Sequence, residues 1–71
     1  MGASVFDAGD VGGGFPDLVV GWRGGTYLLE VKTGTEKLRA SQEAFRTGWR
    51  GGAYVVVRTR EEALAAIGLG P

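Results

Sequence analysis

Residues 15–32, FPDLVVGWRGGTYLLEVK, decide the fold because they hold two strand-like segments joined by a glycine-rich turn. The segments 17–22 and 26–32 are rich in β-branched and aromatic residues, and Arg23-Gly24-Gly25 lies between them. This pattern predicts a β-hairpin. The hairpin also carries two acids and a lysine. Burying a charge costs several kcal/mol unless an opposite charge or hydrogen-bond donors compensate it. Acids inside such strands therefore indicate a functional role.

Further elements are predicted on both sides of the hairpin. In chain order the sequence predicts a brief strand at 3–7, the two hairpin strands, a helix from the N-cap Ser41 to Trp49 or Arg50, a strand at 53–58, and a last helix that begins with the capping box Thr59-x-x-Glu62 and ends at Gly68. The order is therefore three strands, a helix, a strand and a helix.

The strands at 26–32 and 53–58 have apolar side chains on both faces. This is typical of central strands that are covered on two sides. The helix between them is long enough to form a crossover, so the two strands are predicted to be parallel neighbours. The expected fold class is α/β.

Length and composition limit the kinds of site that the chain can form. Its 71 residues predict a single domain, 1–71, with a small core that dimerisation would help to stabilise. The chain has no cysteine and no histidine, which excludes disulfides, zinc fingers and Cys/His or Ser/His nucleophiles. No apolar run approaches the roughly 20 residues that span a bilayer, so we expect a cytoplasmic protein without membrane contact.

The charges are unevenly distributed although the net charge is zero. Residues 32–60 hold seven basic and two acidic side chains, whereas the remainder holds one basic and six acidic ones. This asymmetry is compatible with a phosphate-binding surface beside an acidic, cation-binding site. The alternative is a pair of solvated faces that happen to differ in charge.

The charged residues of the hairpin are expected to share one face, because side chains alternate along a strand. In the register set by a Gly24-Gly25 turn, Lys32 lies opposite Asp17 and Glu30 is a diagonal neighbour at roughly 7 to 8 Å. Two carboxylates and a backbone carbonyl would suit Mg²⁺ or Mn²⁺. The alternative is an ordinary ion pair between Glu30 and Lys32 on a half-exposed strand.

Together, Pro16-Asp17 and Glu30-Val31-Lys32 resemble the motif of the PD-(D/E)XK nuclease superfamily. The stretches GFPDL, LEVKTG, residues 38–42 and VVVRTREEAL are similar to its VRR-NUC group, over roughly residues 11–68. The resemblance implies a restriction-endonuclease-like mixed β-sheet flanked by helices. The N-terminal helix usual in that group has no counterpart before Ser4, so a minimal version of the fold is expected.

The resemblance also implies a function, that of a metal-dependent DNA endonuclease that hydrolyses phosphodiester bonds. Asp17 and Glu30 match the metal-binding acids, with the Val31 backbone carbonyl as a third ligand for Mg²⁺ or Mn²⁺. Lys32 and Gln42 match the remaining catalytic positions. Stand-alone members are homodimers that act on branched DNA such as Holliday junctions, so a homodimer in a bacterial or phage-infected cell is expected.

DNA contacts are expected from the basic segment. Lys37 and Arg39 lie in the loop after the second hairpin strand, and Arg46 and Arg50 are predicted to share one face of the next helix. The alternative is that the two helical arginines only solubilise that helix.

Two further points concern the surroundings of the site. Trp22 and Trp49 are expected to fill the core rather than to stack on bases, and Gly12-Gly13-Gly14 to turn the chain sharply into Pro16. The lack of the N-terminal helix leaves a second function open, a non-catalytic module with a nuclease fold that binds DNA or a protein partner.

Overall fold

The structure is a computed structural model that describes residues 2–68. It contains four strands and two helices: β1 Ser4–Asp7, β2 Leu18–Trp22, β3 Gly25–Val31, α1 Ala40–Gly48, β4 Ala53–Val57 and α2 Arg60–Ala66. The predicted α/β class and the order of elements are confirmed. No helix within this part of the chain has the length and apolar content needed to cross a bilayer.

The four strands form one mixed sheet in the order β1-β2-β3-β4. The pairs β1–β2 and β2–β3 are antiparallel, and β4 runs parallel to β3, as the crossover helix predicts. The expectation that β4 is a central strand is wrong, because among residues 2–68 it pairs only with β3. Its apolar side chains reflect coverage by helices: Tyr54 contacts Phe45 of α1, and Val55 lies in the cluster under α2.

The hairpin turn consists of Arg23 and Gly24, not of Gly24 and Gly25. Both turn residues have positive φ, 50° and 80°, as a type I′ turn requires. Gly25 belongs to β3, where a Cβ would lie 3.0 to 3.2 Å from the Tyr27 ring and hydroxyl, so a larger residue requires a small shift of that side chain.

The pairing Leu18↔Leu29 therefore sets a register two residues away from the expected one. A shift of two leaves every side chain on its predicted face but changes its partner. One pair beyond Leu18↔Leu29, the same register places Asp17 opposite Glu30. The expected pairing of Asp17 with Lys32 is therefore wrong.

Helix α1 begins two residues earlier than predicted, with Arg39 rather than Ser41 at the N-cap. The Gln42 side chain, three residues after the N-cap, accepts a 2.8 Å hydrogen bond from the Arg39 N–H, as the third helical residue of a capping box does. The helix ends at Gly48, which leaves Arg50 outside it. At α2 the prediction is confirmed: the Thr59 hydroxyl accepts a 3.0 Å hydrogen bond from the Glu62 N–H.

The two faces of the sheet have different cover. On one face, α2 closes the main core, whose buried members are Val20, Leu29, Val57 and Ile67. Trp22 packs against this core as predicted. On the other face α1 covers the sheet through Phe45, whereas Trp49 stacks on Phe45 and stays 37% exposed, so the prediction that Trp49 fills the core is wrong. The second face is the one that carries Asp17, Glu30 and Lys32.

Candidate functional site

The hairpin opens at the end where β2 begins and β3 finishes. Asp17 Oδ2 accepts a 2.9 Å hydrogen bond from the Val31 N–H. In a continued ladder Val31 would instead pair with Pro16, which has no N–H to donate to the Val31 carbonyl. Because the N–H and C=O of a strand residue point to the same side, this carbonyl points to the side of β3 on which the Asp17 carboxylate lies.

Glu30 is the most deeply buried charged residue of the site, with 1% of its surface exposed. Its Oε2 accepts a 3.2 Å hydrogen bond from Gln42 Nε2 and lies 3.8 Å from Lys32 Nζ. Its Oε1 is buried and accepts no hydrogen bond from the described residues; the carboxyl group can hydrogen-bond to Asp17 only when one of the two is protonated. Leaving a carboxylate oxygen unpaired inside a protein is costly, and such an atom is a natural ligand for a bound cation.

Burial and the neighbouring Asp17 raise the pKa of the Glu30 carboxyl group. Burial is the largest cause, and Asp17 adds to it by hydrogen bonding to the protonated form and by repulsion. Lys32 and Arg39 act in the opposite direction, and the resulting pKa is about 7. A cation between the two carboxylates would offset the repulsion between their negative charges.

The residues present fit a divalent cation with oxygen ligands. Asp17, Glu30 and the Val31 carbonyl are three candidate protein ligands, and the unpaired Oε1 needs a partner. Among residues 2–68 there is no group of three or more Asp, Glu, His or Cys side chains that could hold a metal ion. A site with so few protein ligands matches Mg²⁺, which keeps several waters and takes phosphate oxygens as further ligands.

Gln42 lies where the resemblance implies, on α1 and against Glu30. It is buried, although the sequence alone would place it on the solvent-facing side of a helix. At Gly14, beside the start of α1, a Cβ would collide with the Ser41 carbonyl oxygen. The prediction that glycines turn the chain here is confirmed by positive φ at residues 12–14. The close approach of Gly14 brings the start of α1 to the site.

Tyr54 belongs to the surroundings of the site and was not identified from the sequence. It lies on β4 level with Leu28, on the face that carries Glu30. Its hydroxyl is buried without a hydrogen-bond partner among the described residues. Burial raises the pKa of this hydroxyl, and the nearby Glu30 raises it further. The alternation of side chains along β4 is sufficient to predict that Tyr54 lies on this face, but the sequence does not show that its hydroxyl lacks a partner.

Two of the four predicted DNA-binding residues lie in the loop between β3 and α1. Lys37 and Arg39 are exposed there, as predicted. Arg58, which the sequence analysis did not assign to the site, donates a 3.1 Å hydrogen bond to the Gly34 carbonyl and so holds the beginning of this loop.

The other two lie at the far end of α1. Arg46 forms an exposed ion pair of 2.7 Å with Glu43. Arg50 lies beyond the helix and donates to the Thr47 carbonyl at 3.0 Å. The prediction that Arg46 and Arg50 share a helix face is therefore wrong, because the helix ends before Arg50.

Comparisons of the chain with protein-family models, with curated proteins and with solved structures find no match. A functional interpretation therefore depends on the residues of the site and on the motif that they form.

Proposed function

We propose that the chain is a metal-dependent DNA endonuclease with a restriction-endonuclease-like fold. The observation that carries the proposal is the convergence of Asp17 and Glu30 at one level of the sheet, where one Glu30 oxygen is buried without a partner. The neighbouring Lys32 and the motif Pro16-Asp17 with Glu30-Val31-Lys32 support it. The strand order, with a crossover helix before β4, is compatible with it.

Asp17, Glu30 and the Val31 carbonyl would hold Mg²⁺ or Mn²⁺. Such an ion lowers the pKa of bound water and neutralises charge that develops on a phosphate during hydrolysis. The two carboxylates would be held in place by the hydrogen bonds from the Val31 N–H and from Gln42.

The remaining side chains have separate roles in the proposed reaction. Lys32 brings a positive charge to the buried side of the site, where it can orient the attacking water and stabilise the negative charge of the phosphate. Gln42 keeps the Glu30 carboxylate in one orientation. Lys37 and Arg39 lie on the loop next to β3 and would contact neighbouring phosphates.

The proposed substrate is branched DNA, such as a four-way junction, bound by a homodimer. The basic side chains of the loop offer charge rather than an element that reads base edges, so recognition would depend on DNA shape and on phosphate positions. Affinity would fall steeply as the salt concentration rises.

A cleavage assay on linear duplex, single-stranded and four-way-junction DNA tests the proposal, with Mg²⁺ and Mn²⁺ titrated separately. We expect metal-dependent cleavage that Asp17→Asn, Glu30→Gln and Lys32→Met abolish. Asp10→Asn is the matched control, since Asp10 is an exposed acid outside the site, and it should retain activity. Paramagnetic resonance of Mn²⁺ adds a readout independent of cleavage, in which Asp17→Asn and Glu30→Gln should lose the bound ion.

The second candidate function is a non-catalytic module that binds DNA or a protein partner. It is favoured by the small number of acids, since no third acid joins Asp17 and Glu30 among the described residues. DNA binding without cleavage of any of the three substrates, at every metal concentration, would support this function and exclude the nuclease.

A further inference from the structure

Strand β1 has a free edge that is unusually exposed. Within residues 2–68 it pairs only with β2, and all four of its residues are exposed. Val5 and Phe6 are 63% and 64% exposed and point to opposite faces of the sheet. Free edges are commonly protected by charged side chains, proline or a bulge; β1 has no lysine, proline or bulge, and its one charged residue, Asp7, lies at its end.

The unpaired main-chain groups of β1 can be identified from its ladder with β2. The Ala8 N–H donates to the Asp17 carbonyl at 2.7 Å, so these two residues form a hydrogen-bonded pair. Hydrogen-bonded pairs alternate along an antiparallel ladder, which makes Phe6 and Ser4 the next residues that bond to β2. Val5 and Asp7 therefore direct their N–H and C=O groups toward the free edge.

We propose that β1 pairs with β1 of a second copy of this chain, antiparallel and about a two-fold axis at Val5. A two-fold axis perpendicular to the sheet keeps each side chain on its face, so residue numbers across the interface must have an even sum. Centring on Val5 pairs Val5 with Val5 and Ala3 with Asp7, which uses all the outward-directed groups of β1. It also keeps the two Asp7 carboxylates at opposite ends of the interface.

The opposite edge of the sheet is a weaker candidate for such an interface. On β4, Tyr54 and Val55 are half-buried under the helices, and Val57 is buried. Pairing at β4 would cover little apolar side-chain surface, whereas pairing at β1 would cover Val5 and Phe6.

The proposed pairing makes one eight-stranded sheet with both candidate sites on the same face. The row of Asp17 and Glu30 lies three residues along the strand from Val5. With strands about 4.8 Å apart and about 3.3 Å per residue, the two sites are roughly 25 to 30 Å apart. This is somewhat less than one turn of duplex DNA, about 34 Å, so both sites could face one duplex. The pairing itself does not rest on the proposed nuclease function, whereas its use to place two sites on one DNA does.

Sedimentation equilibrium of the 71-residue chain over a range of concentrations tests the interface. We expect a dimer that Val5→Lys converts to a monomer, because two lysines would lie directly opposite each other. Val11→Lys is the matched control: Val11 is 60% exposed but lies in the loop after β1, so this variant should remain dimeric. Circular dichroism of both variants checks that they fold.

A cysteine variant tests the same register without adding charge. The chain has no cysteine, so Val5→Cys introduces a single thiol. Residues opposite each other in a hydrogen-bonded pair have Cα atoms about 5.5 Å apart, which a disulfide can bridge. Oxidation should link Val5→Cys into a covalent dimer and leave Val11→Cys unlinked.

Four results would overturn the proposal. A wild-type chain that stays monomeric at every concentration, and a Val5→Cys variant that crosslinks no faster than Val11→Cys, would each exclude the interface. A dimer that survives Val5→Lys would place the contact elsewhere. A mass that grows beyond the dimer without limit would show that β1 pairs with a different strand. None of these measurements depends on DNA cleavage, so they fail or succeed independently of the proposed function.

Discussion

Gln42 and Glu30 are joined by a hydrogen bond of 3.2 Å between two buried side chains. The Nε2 of Gln42 donates this bond, while its Oε1 accepts a 2.8 Å bond from the Arg39 N–H. A single amide thus caps α1 and fixes a carboxylate on β3. The same side chain therefore determines both where the helix begins and how Glu30 is oriented in the site.

The first prediction concerns this amide. Gln42→Ala removes the cap and one donor to Glu30, so the free energy of unfolding should fall by about 1 to 2 kcal/mol in urea denaturation. Ser41→Ala is the control, since Ser41 is exposed and the helix begins before it. That change should stay within about 0.5 kcal/mol of wild type. A larger loss from Ser41→Ala than from Gln42→Ala would show that the serine caps the helix after all.

The second prediction concerns the pH dependence of stability. The pKa of Glu30 is about 7 in the folded chain, above its ordinary value of 4.5, so folding favours the protonated form. The stabilisation by this group is complete below pH 4.5 and is lost as the pH rises through 7. The loss is on the order of 3 kcal/mol. Denaturation of the metal-free chain at several pH values should show this fall.

Glu30→Gln removes the titrating group and provides the comparison. The difference in unfolding free energy between wild type and Glu30→Gln should change with pH over this window, which separates Glu30 from other titrating groups. Mg²⁺ should stabilise wild type more above pH 7 than at pH 5, because a cation selects the ionised carboxylate. Parallel pH profiles for the two proteins would contradict the prediction.

The sequence contains enough information to predict the strands, the crossover and the face that carries Asp17, Glu30 and Lys32. All of these depend on alternation and on local propensity, which a one-dimensional pattern records. The register differs from the expected one because the turn residues are Arg23 and Gly24, and Arg23 adopts positive φ. Glycine adopts positive φ more easily than arginine, so the sequence favours Gly24-Gly25 as the turn pair. The burial of Gln42 was inaccessible from the residues alone, since it results from contact between Gly14 and the start of α1.

The third prediction concerns the turn. Arg23 adopts a left-handed backbone conformation, which is less favourable for arginine than for asparagine. Asn-Gly is the preferred pair in a type I′ turn. Arg23→Asn should be more stable than Arg23→Ala by about 0.5 to 1 kcal/mol in thermal denaturation. Both changes remove the contact of the arginine with the Trp22 ring at 5.1 Å, so their difference isolates the backbone effect. Equal stability of the two variants would argue against positive φ at this residue.

The fourth prediction compares two glycines that share a backbone conformation. Gly12 and Gly14 have φ of 79° and 84°, so alanine is strained at both. A Cβ at Gly12 meets nothing within 4 Å, whereas at Gly14 it would collide with the Ser41 carbonyl. Gly12→Ala should cost about 1 to 2 kcal/mol of unfolding free energy, and Gly14→Ala clearly more. If the two variants cost the same, the close approach of α1 to Gly14 is not needed for stability.

The last prediction rests on the proposed binding of DNA and separates the loop from the helix. Arg46 already has a partner in Glu43 at 2.7 Å, whereas the exposed loop residue Lys37 has no ion pair among residues 2–68. Lys37→Ala should weaken binding to junction DNA and reduce the slope of log affinity against log salt by about 1, because one phosphate contact is lost. Arg46→Ala should change that slope less, since Glu43 already offsets its charge. Fluorescence anisotropy at four or more salt concentrations measures both slopes. A larger change for Arg46→Ala would place the DNA along α1 instead of along the loop after β3.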